Sequence, residues 1–139
     1  SNPIKPTGRV PSDQSMNKNT IMFSSDLFFG SKVTGTATAM GLHVELEADI
    51  ERGLSKLAGG GYRCVILDLA MPGLSPADVI AAVSNSTTTD KPHVIAFGSH
   101  VHTARLEESR KAGCDDVMPR SRFSAELTEI LSRNCGESE

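Results

Sequence analysis

Arg63-Cys64-Val65-Ile66-Leu67-Asp68-Leu69-Ala70-Met71-Pro72-Gly73-Leu74 is the stretch whose reading decides the fold. A continuous apolar run that ends in an acid and is followed by a Pro-Gly turn reads as a strand buried on both faces. Pro72 and Gly73 set a turn that keeps the following loop short. In open α/β sheets, ligands and chemistry are found in the crevice beyond the carboxyl ends of the strands. Asp68 stands at that edge, where two roles are open to it. It is either a functional carboxylate or a loop cap that accepts backbone amides.

Outward from this strand, strands and helices alternate from Thr20 onward, the pattern of a parallel sheet covered on both faces. Ile21-Met22-Phe23 is a first short strand. A helical stretch from about Asp26 to Met40 follows, with Leu27, Val33, Ala37 and Met40 roughly on one side. Gly30, Gly35 and three threonines weaken that helix. Leu42, Val44 and Leu46 alternate with polar residues as in an edge strand, and Ile50, Leu54 and Leu57 return at helical spacing. Gly59-Gly60-Gly61 ends the second helix. A phosphate-cradling glycine loop needs a strand before it and a helix after it, and here the order is reversed.

Ser75-Pro76-Ala77-Asp78 opens the third helix with an N-cap, a proline at the first helical position and an acid in the first turn. After the loop Asn85 to Asp90, Val94 to Phe97 is a buried fourth strand, and Ala104 to Ala112 is a helix closed by Gly113. Val117-Met118 is the fifth strand. Ser121 or Ser124 is expected to cap the last helix, whose Leu127, Ile130 and Leu131 face the core. The fold class is therefore α/β, a single doubly wound five-stranded parallel sheet with helices on both faces.

A chain of 139 residues makes one domain with a sizeable core. The 14 basic and 17 acidic residues leave a net charge of -3, which favours neither nucleic acid nor an anionic membrane as partner. Cys64, Cys114 and Cys135 form no Cys-x-x-Cys pair and are odd in number, as suits reduced thiols in a cytosol. No apolar run approaches the roughly 20 residues of a membrane helix, and no signal-peptide core is present. A cytoplasmic protein is expected. Residues 1–19 are rich in Pro, Ser, Asn, Lys and Gly without apolar period, and read as a flexible extension or a tag remnant before a domain over 20–135 and a tail over 136–139.

Two segments resemble one known family, the receiver domains of two-component response regulators. They are Val65-Ile66-Leu67-Asp68 with Met71-Pro72-Gly73, and the block Ala112-Gly113-Cys114-Asp115-Asp116-Val117-Met118. The resemblance runs from about Thr20 to Arg133 and implies the flavodoxin-like strand order 2-1-3-4-5. In that family an Asp takes a phosphoryl group with the help of Mg²⁺, an acidic pair after the first strand, a Thr or Ser after the fourth and a Lys after the fifth. Mg²⁺ needs hard oxygen ligands in octahedral geometry, while the Lys and the hydroxyl stabilise charge on the transferred group.

The phospho-acceptor position falls on Asp68, and nearly every other position departs from the pattern. The acidic pair falls on Ser24 and Ser25. Asp26 lies one place further on, where it would open the first helix or, after a one-residue shift, act as a substitute acid for the metal. The switch hydroxyl falls on Gly98 with Ser99 beside it, the lysine on Arg120, the aromatic switch on Val117 and the following proline on Ser121. Neutral serines do not replace two anionic ligands, so no metal site is expected. Arg120 is expected to pair with Asp68 in a fixed bidentate bridge, or else to snorkel into solvent. His100 and His102 follow the fourth strand near the crevice but have no carboxylate partner in the sequence, while His43 and His93 sit elsewhere.

Three function classes follow. The first is an atypical receiver-like signalling module that binds another signalling protein, or a second copy, without Mg²⁺-dependent phosphorylation and without a cofactor. The resemblance places its contact on the fourth helix, fifth strand and fifth helix, from His100-Val101-His102 through Arg105 to the segment Arg120 to Phe123. The second is a working phospho-acceptor at Asp68 with an unusual shell of Asp26, Ser99 and Arg120, the one reading under which Mg²⁺ would take part. The third is an anion or small-ligand binder in the crevice, with Ser24, Ser25, Ser99 and Arg120 as donors. An unpaired Asp68 would repel that anion.

Overall fold

The computed structural model describes residues 19–86, 88 and 90–136. Most of the segment expected to be an extension, residues 1–18, and the tail over 137–139 lie outside the described residues. The elements run β1 (Asn19–Phe23), α1 (Leu27–Ala39), β2 (Val44–Glu47), α2 (Ile50–Ala58), β3 (Tyr62–Asp68), α3 (Pro76–Ser84), β4 (His93–Gly98), α4 (Thr103–Ala112), β5 (Asp116–Pro119), α5 (Arg120–Ala125) and α6 (Leu127–Cys135). The first strand thus begins at Asn19, the last residue of the expected extension.

All neighbouring strands pair in parallel, in the order β2-β1-β3-β4-β5. The side-chain period of two sends alternate residues of the central strands to opposite faces. Met22, Cys64, Ile66, Ile95 and Phe97 pack with Phe29, Val33, Phe123 and Ile130 of α1, α5 and α6. Ile21, Phe23, Val65, Leu67, Val94 and Ala96 pack with Leu57, Val79 and Leu106 of α2, α3 and α4. This two-sided burial is why β3 reads as an unbroken apolar run.

Local chemistry sets the helix ends. Asp26, Asp49 and Ser75 cap α1, α2 and α3 through their side chains. The glycine triplet does end α2, with Gly60 and Gly61 at φ +78° and +91°, a region costly for residues with a side chain. Two expectations fail. Leu27 is 66% exposed, because α1 turns Phe29, Val33 and Ala37 inward and its first residue points away. Neither Ser121 nor Ser124 caps the last helix: β5 runs directly into α5 through Pro119, and the helical stretch breaks in two at Glu126. Ser124 instead accepts a hydrogen bond from Lys32 Nζ at 3.1 Å. Among the described residues no helix is long and apolar enough to cross a membrane.

Candidate functional site at the strand ends

The parallel sheet brings the last residues of β1, β3, β4 and β5 to one edge, where Asp68 is buried. Asp68 is the final residue of β3, aligned with Phe97 of β4 and 2% exposed. A carboxylate this buried must be hydrogen-bonded. Its Oδ2 accepts from Ser24 Oγ at 2.7 Å and its Oδ1 from the Ala70 amide at 3.0 Å. The loop-capping role read from the sequence is thus present at Asp68, whose carboxylate accepts the amide two residues on.

Ser24 is fully buried just past β1, and its Oγ also accepts the Asp26 amide at 3.1 Å. Ser25 next to it is exposed. Asp26 turns toward α1, where Oδ1 accepts the Phe29 amide at 3.0 Å. That bond first, and Arg120 second, hold its carboxyl below its ordinary value despite partial desolvation.

The expected pairing of Arg120 with Asp68 is not formed. Arg120 NH2 lies 3.4 Å from Asp26 Oδ2, and its guanidinium sits 4.1 Å above the Phe29 ring. Arg120 opens α5 beside the start of α1, so the helix-capping acid is the carboxylate within its reach, and Ser24 already fills that side of Asp68. Phe29, Phe97 and Phe123 form one aromatic cluster beneath, with Phe97 and Phe123 stacked at 4.4 Å.

At the switch position, a Cβ added to Gly98 would stand 3.2 Å from Leu69 Cβ and 3.3 Å from its Cδ1. A side chain at the switch position would therefore press on Leu69, which would have to give by a few tenths of an ångström. Ser99 is half-buried and its Oγ accepts the Val101 amide at 3.3 Å, a local turn contact. Val117 is half-buried against the α2, α3 and α4 face. His100 and His102 are exposed, His43 is exposed, and His93 Nε2 lies 2.6 Å from Asp116 Oδ2. Among the described residues no group of three His, Cys, Asp or Glu is arranged to hold a metal.

The expected contact face is narrower than its sequence suggests. Phe123 is fully buried. Arg105 is no free cation: its NH2 donates to the carbonyls of Leu69 at 3.2 Å and Leu74 at 2.7 Å, and NH1 meets Glu108 at 3.0 Å. The guanidinium fork thereby clasps α4 to both ends of the loop after Asp68. Among the described residues, the large apolar side chains that remain exposed are Leu27, Phe28 (90%) and Val101.

Sequence reading also missed Glu47, the last residue of β2, which is 3% exposed. Burial alone would raise its carboxyl, but hydrogen bonds from Lys56 and Arg52 and from the Asp49 amide hold it at about 2. Lys56 also contacts Glu45, and those two carboxylates push its ammonium above the ordinary lysine range. The signal was present as Arg52 and Lys56 spaced four apart on α2 behind Glu45 and Glu47.

No protein-family model matches the chain, and no curated protein is similar enough in sequence to count as a match. Solved structures are similar in fold. A response-regulator signal receiver domain from Bermanella marisrubri superimposes with a TM-score of 0.71 at 19% identity, covering 86% of this chain and 98% of that one. The receiver domain of a sensor histidine kinase from Pseudomonas aeruginosa, solved with magnesium coordinated in its active-site cleft, gives 0.71 at 18% identity over 87% and 99%. A receiver domain of a Saccharomyces cerevisiae response regulator, crystallised with a histidine phosphotransfer signaling protein, gives 0.67 at 13% identity over 86% and 90%. The fold is that of response-regulator receiver domains.

Proposed function

We propose that the chain is an atypical receiver-type signalling module that acts by binding another protein, with Asp68 serving structure rather than Mg²⁺-dependent phosphoryl transfer. The observation that carries this reading is the 2.7 Å hydrogen bond from Ser24 to Asp68, at the place where the family pattern has an acid. The donor set does not suit Mg²⁺. Ser24 is neutral, Asp26 is committed to the N-cap of α1 and to Arg120, and Asp68 already accepts two hydrogen bonds. A strongly hydrated divalent ion is held by carboxylates and phosphate oxygens, and a single engaged carboxylate is a poor offer.

Partner binding is supported by Phe28 and Leu27 in the first turn of α1 and Val101 in the β4–α4 loop, all exposed apolar groups, with Arg122 also exposed on α5. The partner under this reading is a signalling protein or a second copy of the chain, acting in the cytoplasm.

Incubation of the intact chain with acetyl phosphate and Mg²⁺, followed by intact mass, tests the reading. No adduct of about 80 Da is expected. An adduct that disappears in Asp68→Ala would overturn it and establish the phospho-acceptor.

A further inference from the structure

A second cleft lies at the other edge of the sheet, where the strands begin, at the opposite end from Asp68. It spans about 560 Å³ between the first residues of β3 and β4 and the last turn of α6. That is room for a small organic ligand. Arg63, Lys91 and Arg133 line it, and Asp90 is the one acid on its wall, so positive charge is in excess.

Two of the three cations are fixed in place by the chain itself. Lys91 Nζ donates to the carbonyls of Val83 at 3.3 Å and Thr88 at 3.0 Å, the first of which lies in the last turn of α3. Arg133 NH1 meets Glu129 Oε2 at 3.0 Å. His93, also on the wall, is held by Asp116, with Nε2 2.6 Å from Oδ2. Arg63 has no such tie. It is half-buried at the second position of β3, and its guanidinium makes no ion pair or hydrogen bond with a described residue.

Asn134 adds a second unmet donor. Its Nδ2 is, among the described residues, the one buried side-chain nitrogen or oxygen without a hydrogen-bond partner. Such orphans are rare, because each gives up the hydrogen bond it had in water. A guanidinium and an amide NH₂ both donate, so what this wall lacks is an acceptor.

We infer that the cleft binds a small organic phosphate, with Arg63 grasping the phosphate group, Lys91 and Arg133 adding positive charge and the Asn134 amide donating to it. A phosphate ester brings nearly two negative charges and three acceptor oxygens, and the planar guanidinium fork matches two of those oxygens at once. A carboxylate would bring half the charge to three cations. The volume beyond the phosphate group takes the organic part, and neither Asp68 nor its crevice has a role.

The test is to titrate the whole isotope-labelled chain with inorganic phosphate, glycerol phosphate and acetate at constant ionic strength, following the backbone amides by NMR. Saturable shifts should gather at Arg63, Lys91, His93 and Asn134 with both phosphates. Glycerol phosphate should bind at least as tightly as inorganic phosphate, and acetate about tenfold more weakly. Arg63→Ala should weaken glycerol phosphate by about tenfold, and Arg63→Lys, which keeps the charge and loses the fork, by less. Arg110→Ala, which removes an exposed cation on α4, should leave it unchanged. Asn134→Leu should weaken binding while raising the unfolding temperature of the unliganded chain, because it deletes a buried donor that has no partner. Shifts that do not saturate or that scatter over exposed cations elsewhere, acetate binding as tightly as the phosphates, inorganic phosphate binding more tightly than glycerol phosphate, or an affinity indifferent to both Arg63 variants would overturn the inference.

Discussion

Ser24 and Arg120 stand close to the same crevice, yet their substitutions should differ sharply. Ser24→Ala removes a donor from a carboxylate that is 2% exposed, leaving Oδ2 of Asp68 without that partner, at a cost of about 1–3 kcal/mol. Arg120→Ala removes a half-exposed ion pair and a contact with Phe29, which water largely replaces, so the urea midpoint should barely move. Equal midpoint shifts for the two variants in urea denaturation would show that Asp68 does not depend on Ser24. The residue types at this site were legible in the sequence, since Ser24, Asp26, Asp68, Gly98 and Arg120 all lie at strand ends or helix starts. Their pairing was not. The sequence pointed Arg120 to Asp68 or to solvent, and its contact with Asp26 follows from Ser24 bonding Asp68 and from Arg120 opening a helix beside the start of α1, which is side-chain direction rather than spacing.

Arg105 joins α4 to the β3–α3 loop by a single side chain, and it explains why that helix is held in place although its own sequence is polar. Arg105→Ala should destabilise by about 1–3 kcal/mol, because the Leu69 and Leu74 carbonyls lose a charged donor. Amide exchange should speed up selectively between Leu69 and Leu74. Uniform acceleration across the molecule, or none in that loop, would mean that the clasp is not what orders it. Strands and helix starts were readable because each rests on a local rule: a period of two, an apolar run, or an Asp or Ser cap. The break at Glu126 was not readable, since Leu127, Ile130 and Leu131 continue a helical spacing across it and only the packing of α5 and α6 reveals the interruption.

Across the whole molecule, stability should depend on pH through the buried Glu47 cluster. Its carboxyl titrates at about 2 when folded, against an ordinary value of 4.5, so the cluster contributes fully above the higher value and loses that contribution as the pH falls toward the lower one. Glu47→Gln should destabilise the chain at neutral pH and flatten the pH dependence of the unfolding midpoint across that window. An unchanged slope would assign acid sensitivity to other carboxylates. The strand order was legible from the alternation of elements and the family resemblance, whereas a buried ion cluster at a sheet edge breaks the rule that charges stay outside, and no period announces it. The same cluster also makes itself visible to light. The chain has no tryptophan and one tyrosine, and Tyr62 Oη donates to Glu45 Oε1 at 3.1 Å, within the carboxylate pair that holds Lys56. A phenol bonded to a carboxylate emits weakly, so intrinsic fluorescence brightening on acidification would time the loosening of this corner with no label introduced and no indole to mask it.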